Sequence, residues 1–197
     1  MKILGLYNNE CAVDLFTWLK ENGNEVICST EKLEAQWCAK QRFDLTISYT
    51  YRYILSKEVL DALGNNAVNI HNSFLPFNRG ADPNIWSIID ETPRGVTLHY
   101  MNTDLDKGFI IAQQLVNDSE EETLRSSYEN LDRAAKQLFK DAFRYYKSWP
   151  MMRKQALGEG SYHSIKDGER LKKTIISFDE SVWFFKEKLD RNHILCN

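Results

Sequence analysis

Between residues 2 and 70, short apolar runs alternate with segments whose apolar positions recur at helical spacing, and this alternation restricts the fold more than any other feature. Residues 2–7 form an apolar run that turns polar at Asn8. Ala12, Leu15, Phe16 and Leu19 then fall at i, i+3, i+4 and i+7, which predicts a strand followed by an amphipathic helix closed by Asn22-Gly23. Residues 25–28 read as a second strand, 31–40 as a helix and 43–48 as a third strand. Ser56 with Val59, Leu60 and Leu63 reads as a short capped helix stopping at Gly64, and residues 67–70 as a fourth strand. Strands joined through helices pair in parallel. The chain is therefore expected to be an α/β protein with a mainly parallel sheet, helices on both faces, and ligand sites outside the C-terminal strand ends.

After the fourth strand, residues 72–83 read as a loop, 84–90 as a helix, and 96–101 and 109–115 as strands separated by an acidic, glycine-closed loop over 102–108. From Leu124 the apolar positions Tyr128, Leu131, Ala135, Leu138, Ala142 and Tyr145 keep a 4,3 rhythm, a helix of about six turns capped by Thr123 and ended by Trp149-Pro150. Residues 177–189 predict a last helix through Val182, Phe185 and Leu189. The organisation expected is a main domain over 1–150 and a short C-terminal extension over 151–197.

With 197 residues, 43% of them hydrophobic, the chain can bury one full core. A net charge of -3 supplies no general attraction to nucleic acid. The apolar run at the N-terminus is too short for a signal peptide or a membrane span, so no membrane partner is expected and the cytoplasm is the expected location. Cys11, Cys28, Cys38 and Cys196 form no C-x-x-C pair; three of them sit in apolar or helical surroundings and read as small reduced hydrophobes, and none is assigned a redox or metal role. The turn after the first strand, Tyr7-Asn8-Asn9-Glu10, lacks glycine, and neither G-x-G-x-x-G nor the Walker pattern occurs, which disfavours the usual modes of binding NAD or ATP. Asn9 still lies where a ligand can reach it, or serves only the turn.

Chemistry concentrates in Asn69-Ile70-His71 and in Asp106. At the end of a buried strand Asn69 and His71 share one face, about 6–7 Å apart, with Ile70 on the other. Asn69, His71 and Asp106 supply a neutral donor, a titratable imidazole and a carboxylate. Acyl transfer to an amine uses those three groups: a donor for the developing oxyanion, a base for the ammonium proton, and a carboxylate to orient the base. No serine or cysteine stands in a recognisable nucleophile setting, which favours direct attack by the amine. The same residues also fit a hydrogen-bonded core histidine, a strand-end Asn and a loop Asp, and spacing does not separate the two readings.

The surrounding motifs carry a resemblance. Asn69-Ile70-His71-Asn72-Ser73-Phe74-Leu75-Pro76, then Arg79-Gly80-Ala81-Asp82-Pro83, Gly95-Val96-Thr97-Leu98-His99-Tyr100-Met101 and Leu105-Asp106-Lys107-Gly108-Phe109-Ile110-Ile111 resemble the folate-dependent formyltransferase family in order and spacing over about residues 44–116. The resemblance implies a Rossmann-like formyltransferase fold, N10-formyltetrahydrofolate as formyl donor, no metal, and the catalytic trio at Asn69, His71 and Asp106. It implies a pterin pocket between the loops over 49–55 and 102–105, with Tyr51, Tyr53, Ile54, Asp104 and Leu105 as contacts, although aromatic and apolar residues there also serve packing. Asn72 stands where the family usually has proline.

Among the family's branches, transfer-RNA formylation calls for a longer C-terminal domain. Phosphoribosylglycinamide formylation, the alternative kept open, uses a glycine- and serine-rich phosphate loop after the first strand that is absent here. Residues 78–87 and 90–97, with Gly160-Ser161-Tyr162-His163 and Lys166-Asp167, are most similar to the nucleotide-sugar N-formyltransferases of polysaccharide and O-antigen biosynthesis. This implies the amine of a nucleotide-linked amino-dideoxysugar as acceptor, such as dTDP-4-amino-4,6-dideoxyglucose or its 3-amino analogue. Arg79 is the candidate for the diphosphate and Trp86 for stacking on base or sugar, against a surface arginine and a core tryptophan. A homodimer is expected, the extension serving dimerisation or completing the acceptor site. Two non-catalytic readings remain: a folate- or nucleotide-sugar-binding module, and a structural subunit assembling through Trp183-Phe184-Phe185.

Overall fold

The computed structural model describes residues 1–64, 66–117, 119 and 121–191; Cys196 and the end of the extension lie outside them. In chain order the elements are β1 (Lys2–Leu6), α1 (Val13–Glu21), β2 (Glu25–Ser29), α2 (Ala35–Gln41), β3 (Leu45–Tyr49), α3 (Lys57–Ala62), β4 (Ala67–His71), β5 (Arg79–Gly80), α4 (Pro83–Ile89), β6 (Gly95–Tyr100), β7 (Ile110–Leu115), α5 (Leu124–Phe143), β8 (Tyr162–His163), α6 (Ile165–Lys172) and α7 (Val182–Arg191). Six strands form one sheet in the order β2-β1-β3-β4-β6-β7. The first four are parallel, as helical crossovers require. β6 pairs antiparallel with β4, which it follows through irregular chain and α4, and antiparallel with β7, into which it returns directly.

Strand periodicity divides the core. Ile3, Ile47, Val68, Ile70 and Leu98 face α1 and α5, where they meet Phe16, Leu131, Phe139 and Trp149. Leu4, Leu6 and Ala67 face the opposite way and pack on Cys38, Val59 and Leu60 of α2 and α3. Burying each large side chain of this kind stabilises the fold by about 1.5–3 kcal/mol, and both layers are needed to hide a sheet that is apolar on both sides. The extension adds a third cluster in which Leu171, Phe185 and Leu189 pack on Ile85, Ile88 and Leu124.

Several boundaries differ from the sequence reading. The helix expected over 31–40 begins only at Ala35, because Glu34 is extended, with φ −109° and ψ 133°, and Leu33 reaches the α2/α3 side of the core from non-helical chain. The long helix stops at Phe143, and Trp149-Pro150 lies in a following 3-10 turn that buries the indole under α5. The last helix begins at Val182 rather than at residue 177. The charged run around Lys166-Asp167, read without structure, is α6, started by a capping box between Ser164 and Asp167. The loop expected over 72–83 contains β5, a two-residue strand visible only through its pairing with β8 in the extension.

Candidate active site

The parallel strands end at a cleft of about 990 Å³, walled by the chain after β1, the loop after β3, the end of β4, the 102–106 loop, the start of α5 and the extension. Asn69 and His71 project from β4 into it, on the sheet face opposite Ile70. Antiparallel pairing sets His99 directly across from Asn69 and Thr97 across from His71. The 102–108 loop then folds Asp106 over the same face. Asp106 has a φ of +53°, a conformation that Asp and Asn accept more readily than bulky residues. Gly108 seals the loop, since a Cβ there would lie 1.7 Å from the Tyr100 carbonyl oxygen.

The polar groups form a closed set. Asp106 Oδ2 stands 3.7 Å from His71 Nε2 and accepts the Gly80 N–H at 2.9 Å; its Oδ1 lies 3.6 Å from His99 Nε2. His71 Nε2 is also 3.1 Å from the Asn78 carbonyl. Two acceptors therefore surround Nε2, which assigns the proton there and leaves the lone pair of the neutral ring on Nδ1. His99 is assigned the other way. Its Nδ1–H donates to the Tyr100 carbonyl at 2.8 Å, and Nε2 accepts from Asn69 Nδ2 at 3.3 Å. One Asn69 N–H is thus engaged, and the other remains for a ligand in the cleft.

Burial, reinforced by nearby His71, pushes the His99 pKa from 6.5 down to about 4 against the pull of Asp106. His99 is accordingly a neutral acceptor at physiological pH. Burial acts to raise the Asp106 carboxyl. The facing His71 and His99 rings, the Gly80 N–H and the Arg79 guanidinium outweigh it and hold the pKa below 3.8, so a buried carboxylate faces His71. Cys11 also lines the cleft, beside the Tyr128 hydroxyl at 3.5 Å. Burial pushes its thiol up to about 11, which leaves it protonated and a poor nucleophile.

The other sequence-derived candidates fall into two groups. Tyr51, Tyr53, Ile54, Asp104 and Leu105 line the cleft, the two tyrosine rings edge to face at 5.3 Å, and Asn9 lines it from the turn after β1. Asn9 Oδ1 accepts the Cys11 N–H and so caps the turn as well. Arg79 and Trp86 are not among the cleft-lining residues. Arg79 points its Nε and Nη2 at the carbonyls of Ser161 and Glu159, and Trp86 lies flat on the His163 ring at 3.8 Å. The sequence reading gave no role to His99, Asn78 or Gly80. For His99 the signal was its parity with Thr97 on a strand whose other positions, Val96, Leu98 and Tyr100, are apolar; its partner Asn69 depends on sheet register.

The formyl transferase family model matches residues 20–143. This chain belongs to the formyl transferase family. Among solved structures, the formyltransferase PseJ from Anoxybacillus kamchatkensis, in complex with UDP-4,6-dideoxy-4-formamido-L-AltNAc and tetrahydrofolate, superposes with a TM-score of 0.82 at 34% identity, covering 96% of this chain and 97% of that one. The dTDP-4-amino-4,6-dideoxyglucose formyltransferase of Mycobacterium bovis is 32% identical over 133 residues, 68% of this chain and 56% of its own. The bifunctional polymyxin resistance protein ArnA of Wigglesworthia glossinidia brevipalpis is 33% identical over 124 residues, 62% of this chain and 18% of its own. The match thus spans less than two thirds of either curated relative. No described helix is long and apolar enough to cross a membrane, and no described cluster of His, Cys, Asp or Glu could hold a metal ion.

Proposed function

We propose that this protein transfers a formyl group from N10-formyltetrahydrofolate to the amine of a nucleotide-linked amino-dideoxysugar, with Asn69, His71 and Asp106 as its catalytic residues. The observation that carries the reading is the convergence of these three side chains in one cleft, in a chain that matches a formyltransferase solved with a nucleotide sugar along nearly its whole length. The folate end has suitable walls: Ile54 and Leu105 present 67% and 37% of their surface to solvent beside the tyrosine pair, an exposed apolar cradle for a flat ring system. Tyr162, Ile165 and Phe178 of the extension also line the cleft and offer a wall for the sugar nucleotide.

The donor supplies a formyl carbon bonded to N10, and the products are a formamide and tetrahydrofolate. The free Asn69 N–H meets the negative charge that develops on the formyl oxygen as the acceptor nitrogen bonds to the carbon. His71 takes the proton that the amine loses, at Nδ1, and returns one to N10 as the old C–N bond breaks. Asp106 keeps the proton of His71 on Nε2 and stabilises the imidazolium between those transfers. His99 holds the Asn69 amide in the donating orientation.

A phosphoribosylglycinamide acceptor fits less well, because Tyr7-Asn8-Asn9-Glu10 has no glycines with which to wrap a phosphate. We place the reaction in polysaccharide or O-antigen biosynthesis, in a cytoplasmic homodimer whose contact includes the exposed Trp183 and Phe184. The test is formyl transfer from N10-formyltetrahydrofolate to a panel of UDP- and dTDP-linked 3- and 4-amino sugars and to glycinamide ribonucleotide. At least one sugar nucleotide should be formylated; formylation of glycinamide ribonucleotide alone would overturn the proposal.

A further inference from the structure

Both main-chain groups that meet the reacting side chains come from one short piece of chain. The Asn78 carbonyl receives His71 Nε2–H, and the Gly80 N–H donates to Asp106 Oδ2. This piece cannot hold its own shape. Asn78, Gly80 and Asp82 have φ of +53°, +92° and +50°, and left-handed residues at alternate positions continue neither a helix nor a strand.

It is held from behind by the extension. Ser161 Oγ accepts the Asn78 N–H at 2.8 Å and donates to Asn78 Oδ1 at 2.9 Å. The Arg79 N–H donates to the Ser161 carbonyl at 3.0 Å, the Ala81 N–H to the His163 carbonyl at 2.9 Å, and the Ser161 N–H to the Pro76 carbonyl at 3.2 Å. The two segments touch with no space between them: a Cβ on Gly160 would stand 2.0 Å from Pro76 O, and one on Gly80 would stand 2.2 Å from His163 O. The far end of the strap is anchored too, with the His163 ring flat on Trp86 and bonded to Asp90 at 2.8 Å.

We propose that residues 159–163 are a strap that sets the active-site geometry, and that Ser161 is a positioning residue for formyl transfer, fixing Asn78 O and Gly80 N–H and through them His71 and Asp106. The proposal rests on the reading of His71 and Asp106 as reacting groups. It explains why a chain whose sheet is complete by residue 115 carries a further segment against this loop. It also assigns Arg79 to the strap, where its guanidinium meets the Ser161 and Glu159 carbonyls.

The strap's remaining bonds to residues 76–81 run through its main chain or the Arg79 side chain, so the Ser161 hydroxyl can be removed with the backbone unchanged. The experiment compares the full chain with Ser161→Ala and Ser161→Thr. In S161A, kcat should fall about tenfold, the loss that a fraction of an ångström of misplacement causes, with both KM values within twofold; S161T should recover most of it. A second readout does not need turnover: the Gly80 amide proton, shifted downfield by its carboxylate partner, should move upfield in S161A and return in S161T. An unmoved Gly80 amide, a kcat within twofold of the unaltered protein, or a loss confined to KM overturns the proposal. If the unaltered protein formylates no sugar nucleotide, the functional reading fails and the Gly80 shift still decides whether the strap positions the loop.

Discussion

Replacing His99 by Gln should make the protein's stability less sensitive to acid, by an amount the structure allows to be worked out. His99 titrates at about 4 in the folded chain, because burial opposes its charge, and at about 6.5 once unfolded. A folded pKa below the unfolded one means that the unfolded state binds more protons between those values. The contribution is therefore complete above about pH 6.5 and is lost as the pH falls through 4. Linkage over this pair of values gives a loss of about 2 kcal/mol between pH 8 and pH 5. Asp106, held below 3.8, keeps its charge across that window and adds nothing to it. Gln cannot titrate, and its amide can still meet Asn69. Urea unfolding of both proteins at pH 8 and pH 5, followed by tryptophan fluorescence, isolates the effect as a double difference. The unaltered protein should lose about 2 kcal/mol more than H99Q, about 1 M in urea midpoint at a typical slope. Equal pH dependence, to within about 0.5 kcal/mol, would refute the placement of a neutral, buried His99.

Asn69→Ala and His71→Ala should each lower turnover about a hundredfold or more, and near-normal turnover in H71A in the formyl-transfer assay would remove the proposed base. For Asp106→Asn, a unit charge 3.7 Å from His71 Nε2 is worth about 4 kcal/mol at an effective dielectric constant of about 20. Between half and all of that should appear as a 30- to 1,000-fold fall in kcat, on the order of 2–4 kcal/mol of barrier. Gly108→Ala drives a Cβ into the Tyr100 carbonyl; the 102–108 loop must shift, and kcat should drop with little change in far-UV circular dichroism. Ile54→Asp places a charge on the exposed apolar wall and should raise KM for the folate about tenfold while leaving kcat and KM for the acceptor near their original values.

The parallel half of the sheet was legible because each strand and its crossover helix carry a local period, two for 67–70 and 3.6 for Leu15, Phe16 and Leu19. The same periodicity predicted that Asn69 and His71 share a face opposite Ile70, and so it holds in the core. Helix ends were less legible. Residues 31–34 have helix-compatible composition, yet Leu33 packs on the α2/α3 side of the core from extended chain, and the α5 rhythm runs past Phe143 because Tyr145 keeps the spacing after the backbone has left the helix.

What the sequence determined by itself was the chemistry available and the layer that presents it: an amide and an imidazole two residues apart on a buried strand, and a carboxylate in a short acidic loop. Only the tertiary structure decided how these groups are oriented. The tautomer of His71 depends on Asn78 O, the amide orientation of Asn69 on His99, and the place of Asp106 on Gly80 N–H, three contacts that span 7, 30 and 26 residues. Such contacts leave no periodic trace, because a single hydrogen bond across antiparallel strands or from an irregular loop constrains one residue at each end. The same holds for β5 and β8, two residues each, which are strands only in each other's company.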